Sequence, residues 1–189
     1  RNFEELRLKL INIDRFIGSY NINLNDLDNR FQNLEQTSYN GVLLWKVTNY
    51  REHKNKAVIG QTTSLYSQSF YTSRYGYKMC ARIYLNGDGI GNGTHISMFF
   101  VIMKGDYDTI LEWPFRHKVT LMILDRSGNE CHISDSFLPD PRSSSYQKPT
   151  SACNVASGCP MFATQSDIEE NRNFLNDDCL FIKIIVKNI

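Results

Sequence analysis

Tyr77-Lys78-Met79-Cys80-Ala81-Arg82-Ile83-Tyr84-Leu85 runs into Asn86-Gly87-Asp88-Gly89-Ile90-Gly91-Asn92-Gly93, and His95-Ile96-Ser97-Met98-Phe99-Phe100-Val101-Ile102-Met103 follows shortly after. The outer runs are rich in β-branched and aromatic residues, and the middle is punctuated by glycine. Together they read as two strands joined by a long hairpin loop whose glycines permit positive φ. The loop has the composition of a ligand site without the spacing of one. It lacks Gly-Lys-Ser/Thr and precedes a strand pattern, not a helix, which argues against a phosphate loop. Asp88 and the neighbouring Asn residues lack EF-hand spacing, which argues against calcium.

Further strand patterns lie at Val42–Thr48, Val119–Asp125 and Leu180–Val186. Lys104-Gly105-Asp106 and Ser127-Gly128-Asn129 supply turn signals between them. Several strands punctuated in this way, with no βαβ rhythm, predict a mainly β antiparallel sandwich over residues 42–189.

Upstream the period changes. Phe3, Leu6, Leu10, Ile13, Ile17, Tyr20, Leu24, Leu27, Phe31 and Leu34 are spaced alternately by three and four. This is a coiled-coil seam over almost five heptads. A helix of about 32 residues is about 48 Å long. Leu10 and Leu24 at a, Ile13 at d, and bulky Phe3 and Phe31 at a lean away from a dimer and toward a trimer. The competing reading is an amphipathic helix packed on its own domain, against which stand five heptads with no polar a or d residue. Gly18, Asn21, Asn23 and Asn25 have poor helix propensity, so packing between chains must hold the middle of the helix. Gln36-Thr37-Ser38-Tyr39-Asn40-Gly41 reads as helix stop and linker. The expected organisation is therefore a trimerisation helix at 1–36, a linker at 37–41 and the sandwich at 42–189.

Bulk properties narrow the function. The 189 residues are 41% hydrophobic and 12% aromatic, enough for a substantial core. A net charge of +1 with no polybasic tract argues against nucleic acid. The five cysteines, Cys80, Cys131, Cys153, Cys159 and Cys179, include no C-x-x-C pair. A disulfide scaffold or zinc site is not expected; buried thiols in a reducing compartment are. No apolar run of about 18 residues marks a membrane span, and no signal peptide is expected. Because it begins at Arg1 rather than Met, the chain is expected to be a fragment. His53, His95, His117 and His132 show no metal spacing, and Ser143-Ser144-Ser145 lacks a Gly-x-Ser-x-Gly context, which argues against a hydrolase.

Several strings nonetheless resemble one family. They are Leu44-Trp45-Lys46-Val47, Ser69-Phe70-Tyr71-Thr72, Tyr77-Lys78-Met79-Cys80, Arg82 to Gly89, Trp113-Pro114-Phe115, Pro139-Asp140-Pro141 with Ser143-Ser144-Ser145, and Asn154 to Pro160. They resemble, in order, the TRAF (tumour necrosis factor receptor-associated factor) family, and they separate the chain from the wider group of meprin-and-TRAF-homology (MATH) domains. The resemblance implies an eight-stranded antiparallel β-sandwich preceded by a parallel trimeric coiled coil, without catalysis or cofactor. It implies a cytoplasmic adaptor, recruited to receptors at the membrane without itself inserting. Its expected partners are cytoplasmic tails of tumour necrosis factor receptor family members and other signalling adaptors. An alternative is the substrate-recognition module of a ubiquitin ligase whose RING lies upstream.

The implied ligand is an extended Pro/Ser/Ala/Thr-x-Gln/Glu-Glu peptide. Arg82 and Tyr84 match the residues that hold its acidic side chain, and their spacing independently puts both on one strand face with Cys80. A guanidinium fork and a phenol suit a carboxylate. Asp88 matches a polar contact on the adjoining loop. Ser143, Ser144 and Ser145 match a hydroxyl cluster for the Gln or Glu. Phe99, Phe137 and Tyr146 match the pocket for the first motif residue. Ser157, Gly158 and Cys159 match the strand edge beside the peptide backbone. Two positions depart: Leu138 stands where Arg or Lys is common, and Tyr146 where Phe is usual.

Overall fold

The computed structural model describes residues 2–188; within the first helix, side chains are described for Phe3, Arg7, residues 9–18, Tyr20, Asn21, Leu24, Asp26, Leu27 and Phe31. The chain divides into two units, Arg1–Thr37 and Ser38–Ile189. The first unit is helix α1, Asn2–Gln36, which runs unbroken through Gly18 and the asparagines. The seam side chains Phe3, Leu10, Ile13, Ile17, Tyr20, Leu24, Leu27 and Phe31 are all more than half exposed in the single chain. Those of Leu6 and Leu34 lie outside the described residues.

In the second unit the chain order is β1 (Val42–Val47), α2 (Tyr50–Val58), β2 (Leu65–Tyr66), β3 (Phe70–Tyr71), β4 (Lys78–Tyr84), β5 (His95–Met103), β6 (Lys118–Ile123), β7 (Ile133–Phe137), β8 (Ser157–Thr164), α3 (Gln165–Glu169) and β9 (Leu180–Lys187). One sheet has the order β1-β9-β6-β7; the other has β2-β4-β5-β8, with β3 also paired to β4. All these pairings are antiparallel.

Period-two alternation builds the core. Met79, Ala81 and Ile83 of β4 and Ile96, Met98, Phe100 and Ile102 of β5 join Val119, Leu121 and Ile123 of β6 and Leu180, Ile182, Ile184 and Val186 of β9. Each large apolar side chain buried here contributes about 1.5–3 kcal/mol of transfer free energy. The β4–β5 hairpin forms as its glycines predict. Gly87 has φ +77°, and a Cβ there would lie 2.1 Å from the Gly91 carbonyl oxygen.

The eight-stranded sandwich implied by the resemblance is present, with one edge strand broken in two. Tyr66 faces Arg82 and Phe70 faces Met79. Four steps on one side thus oppose three on the other, a one-residue bulge. At the break the Ser67 N–H donates to the Ala81 carbonyl at 3.0 Å, and the Ser67 Oγ accepts from the Ala81 N–H at 2.9 Å. The serine side chain thereby keeps the backbone of Ala81 paired.

Three features were not legible beforehand. Helix α2 buries only Tyr50 and Ala57, so it carries no apolar stripe. Its first turn is satisfied from far along the chain, where the Asp178 carbonyl accepts from Tyr50 N–H at 3.1 Å and the Asp178 carboxylate accepts from Arg51 N–H at 3.0 Å. Strand β7 has a largely polar sequence, and β8 contains Pro160. The expectation of buried thiols also needs correction. All five cysteines are free and Cys80 is buried, but Cys131 is exposed on the β6–β7 turn and the other three are half-buried.

Candidate functional site

Strand β4 has Met79, Ala81 and Ile83 on its core side, which leaves Cys80, Arg82 and Tyr84 on the other face. Burial pushes the Cys80 thiol up to about 12, with a smaller contribution from Cys153. Arg82 and Tyr84 are half-buried. The register continues this face across the sheet: Tyr66 of β2 faces Arg82, Arg82 faces Phe99 of β5, and Phe99 faces Gly158 of β8. The Arg82 guanidinium carbon lies 5.0 Å from the Tyr66 ring centroid and 4.7 Å from that of Tyr84. Its Nε donates to Ser64 Oγ at 3.0 Å. Tyr84 and Phe99 meet edge to face with centroids 5.6 Å apart. Burial raises the Tyr84 phenol above its ordinary range, and Asp88 and Tyr66 add to this while Arg82 and Ser64 oppose it.

Gly158 has no room for a side chain. A Cβ there would lie 2.3 Å from the Met98 carbonyl oxygen and 2.7 Å from Phe99 Cα. Strand β8 is the last in its sheet, so one row of its backbone groups faces away from β5. Ser97 ties this strand to the hairpin. Its buried hydroxyl donates to the Pro160 carbonyl and accepts from Asp88 N–H at 2.8 Å. Asp88 therefore stands, exposed, at the end of the same face.

A second group forms around a one-turn 3-10 helix, Ser144–Tyr146. Ser143 caps it, with Oγ accepting from Ser145 N–H at 3.3 Å. Ser145 is buried, while Ser144 is exposed. Asn154 fixes the turn by donating through Nδ2 to the carbonyls of Ser145 at 3.1 Å and Gln147 at 2.7 Å. The Tyr146 hydroxyl donates to Ser157 Oγ at 2.7 Å. Burial raises the Tyr146 phenol above its ordinary range, against the pull of Ser157. The Phe137 and Tyr146 ring centroids are 6.4 Å apart. Cys159 faces Met98 and packs against the core, and Leu138 is 63% exposed.

The expected residues thus fall into two groups that meet at β8. Arg82, Tyr84 and Phe99 share the outer sheet face with Gly158. Phe137 and Tyr146 adjoin Ser157 and the serine turn. Phe99 meets Tyr84 edge to face, and Phe137 lies beside Tyr146. Sequence reasoning missed Ser64, Tyr66, Ser97 and Asn154. Tyr66 and Ser64 lie in a stretch without strand periodicity, and only the register brings Tyr66 to Arg82. A surface hollow lined by Tyr77, Glu112, Trp113, Pro114, Arg116 and His117 contains none of the expected residues. Among the described residues no three of His, Cys, Asp and Glu are grouped to hold a metal ion, and no helix is long and apolar enough to cross a membrane.

This arrangement is a polar and aromatic surface running from a cation to an open strand edge. The family described as TRAF/meprin, MATH domain matches residues 62–183. The chain belongs to the TRAF family. TNF receptor-associated factor 5 of Mus musculus is 51% identical over 174 residues, covering 92% of this chain and 31% of that protein. TNF receptor-associated factor 2 of Homo sapiens is 48% identical over 183 residues, covering 97% of this chain and 36% of that protein. The chain therefore spans about a third of the length of these TRAF relatives. The solved structure of Notothenia coriiceps TRAF5 superposes with a TM-score of 0.87 at 40% identity, covering 98% of this chain and 93% of that one.

Proposed function

We propose that the sandwich binds an extended acidic peptide of the Pro/Ser/Ala/Thr-x-Gln/Glu-Glu type. The carrying observation is the cross-sheet row Tyr66, Arg82, Phe99 and Gly158, which leads from a guanidinium to the free edge of β8. The peptide backbone adds at that edge beside Ser157, Gly158 and Cys159. Its acidic side chain meets Arg82 and Tyr84 near Asp88, and the residue before that meets the turn Ser143, Ser144 and Ser145. The small first residue lies over Phe99, Phe137 and Tyr146. The relatives' names tie them to the TNF receptor, and receptor tails carrying this motif are the proposed partners, with other signalling adaptors.

One short peptide buries little surface, so each contact is weak and transient. The exposed α1 seam supports a homotrimeric stem over residues 1–36, a linker at 37–41 and a peptide-binding head at 42–189. Three heads on one stem make later contacts effectively intramolecular and raise avidity by ~10²–10⁴-fold where the geometry fits. The chain is read as a non-catalytic adaptor of the cytoplasm that follows clustered receptors to the membrane. The test is a heteronuclear NMR titration with a Pro-x-Gln-Glu peptide. The expected shifts cluster at Arg82, Phe99, Ser144 and Gly158. Shifts centred on the Tyr77–Trp113 hollow instead would contradict the reading.

A further inference from the structure

Arg82 is held from three sides before any ligand arrives. Tyr66 stands directly opposite it in the register, one ring face 5.0 Å away. Tyr84 presents a second ring at 4.7 Å. Ser64 accepts from Nε at 3.0 Å. Among the described residues the two Nη nitrogens have no hydrogen-bond partner. Tyr66 ends the short strand β2 upstream of the bulge, and Ser64 immediately precedes that strand. Tyr66 is 54% exposed, so its ring serves little in the core.

We propose that Tyr66 and Ser64 are positioning residues that make Arg82 discriminate a carboxylate from the isosteric amide. The proposal rests on the peptide-binding reading above. An arginine free in solvent loses rotamer entropy when it clamps a ligand, and it can swing away from a poor one. Between two rings, with Nε occupied, the guanidinium presents its Nη1–Nη2 end. Two parallel N–H groups at that end match the two oxygens of a carboxylate. A primary amide offers one oxygen and one NH2, and the NH2 leaves a guanidinium donor unmatched. A held guanidinium has no escape from that mismatch.

Tyr66→Leu, Tyr66→Phe, Ser64→Ala and the parent are titrated calorimetrically with two peptides, Pro-x-Gln-Glu and Pro-x-Gln-Gln. The parent is expected to prefer the Glu peptide. Tyr66→Leu should weaken the Glu peptide about threefold, the scale of one exposed cation–π contact, and leave the Gln peptide unchanged. Ser64→Ala should lower the Glu-to-Gln ratio in the same direction, and Tyr66→Phe, which keeps the ring, should preserve it. An equal loss for both peptides in Tyr66→Leu, or no loss, overturns the positioning role while peptide binding stands. A parent that binds neither peptide overturns the reading and this proposal with it.

Discussion

At the scale of single residues, the site depends as much on a missing side chain as on those present. Gly158 faces Phe99 at a separation that admits no Cβ, because Met98 O would lie 2.3 Å away. Gly158→Ala must push β8 from β5, and overpacking of this kind costs about 1–3 kcal/mol. Urea unfolding should show a midpoint lowered accordingly; an unchanged midpoint would mean the strand pair relaxes freely. Tyr146, where the resemblance leads one to expect Phe, spends its hydroxyl on Ser157 Oγ. Its departure is therefore satisfied within the protein and leaves the pocket largely apolar. Leu138 is exposed and brings no charge to the neighbourhood of Phe137. The sequence already placed Arg82 and Tyr84 on one face, because period two is a local property of a strand. It did not show Tyr66 beside them. That contact depends on which strand pairs with β4 and in what register, and a two-residue strand leaves no pattern to read.

At the scale of elements, legibility followed burial. Strands β1, β4, β5, β6 and β9 carry long apolar or alternating runs and were read close to their observed limits. Strands β7 and β8 lie at sheet ends, where one edge is free and polar residues are tolerated. Helix α2 is capped by Asp178, more than a hundred residues away, so its start has no local signal. The β6–β7 turn carries a pH signature. Asp125 accepts from the Ser127 hydroxyl and N–H and from Cys131 N–H, and these hydrogen bonds, the Ser127 hydroxyl foremost, hold its carboxyl below the ordinary range. A depressed folded value means this stabilisation is present above the unfolded pKa, about 3.9, and is lost as pH falls through the folded one. Thermal melts should fall in Tm below about pH 4, and Asp125→Asn should show a shallower decline. A parallel decline in both proteins would remove Asp125 from the account.

At the scale of the molecule, the two units make separate contributions. The helix presents Ile13, Ile17, Leu24 and Leu27 to solvent in a single chain, an apolar stripe that water does not favour. Ile13→Asp with Ile17→Asp should give a monomer by analytical ultracentrifugation while the sandwich keeps its melting transition. A trimer that survives both substitutions would place the contact elsewhere. The heptad spacing was the plainest signal in the sequence because a coiled coil repeats one local rule. The proposed recognition surface was legible only in part, because it draws on segments far apart in the sequence, several of them brought together only by sheet register. In the proposed function, Arg82 and Tyr84 read an acidic peptide at the β8 edge. The most direct test is calorimetric titration of a Pro-x-Gln-Glu peptide into the parent and into the Arg82→Ala, Tyr84→Ala double variant. Weak binding to the parent that disappears in the variant is expected; equal binding to both, or none to the parent, would rule out this role for Arg82 and Tyr84.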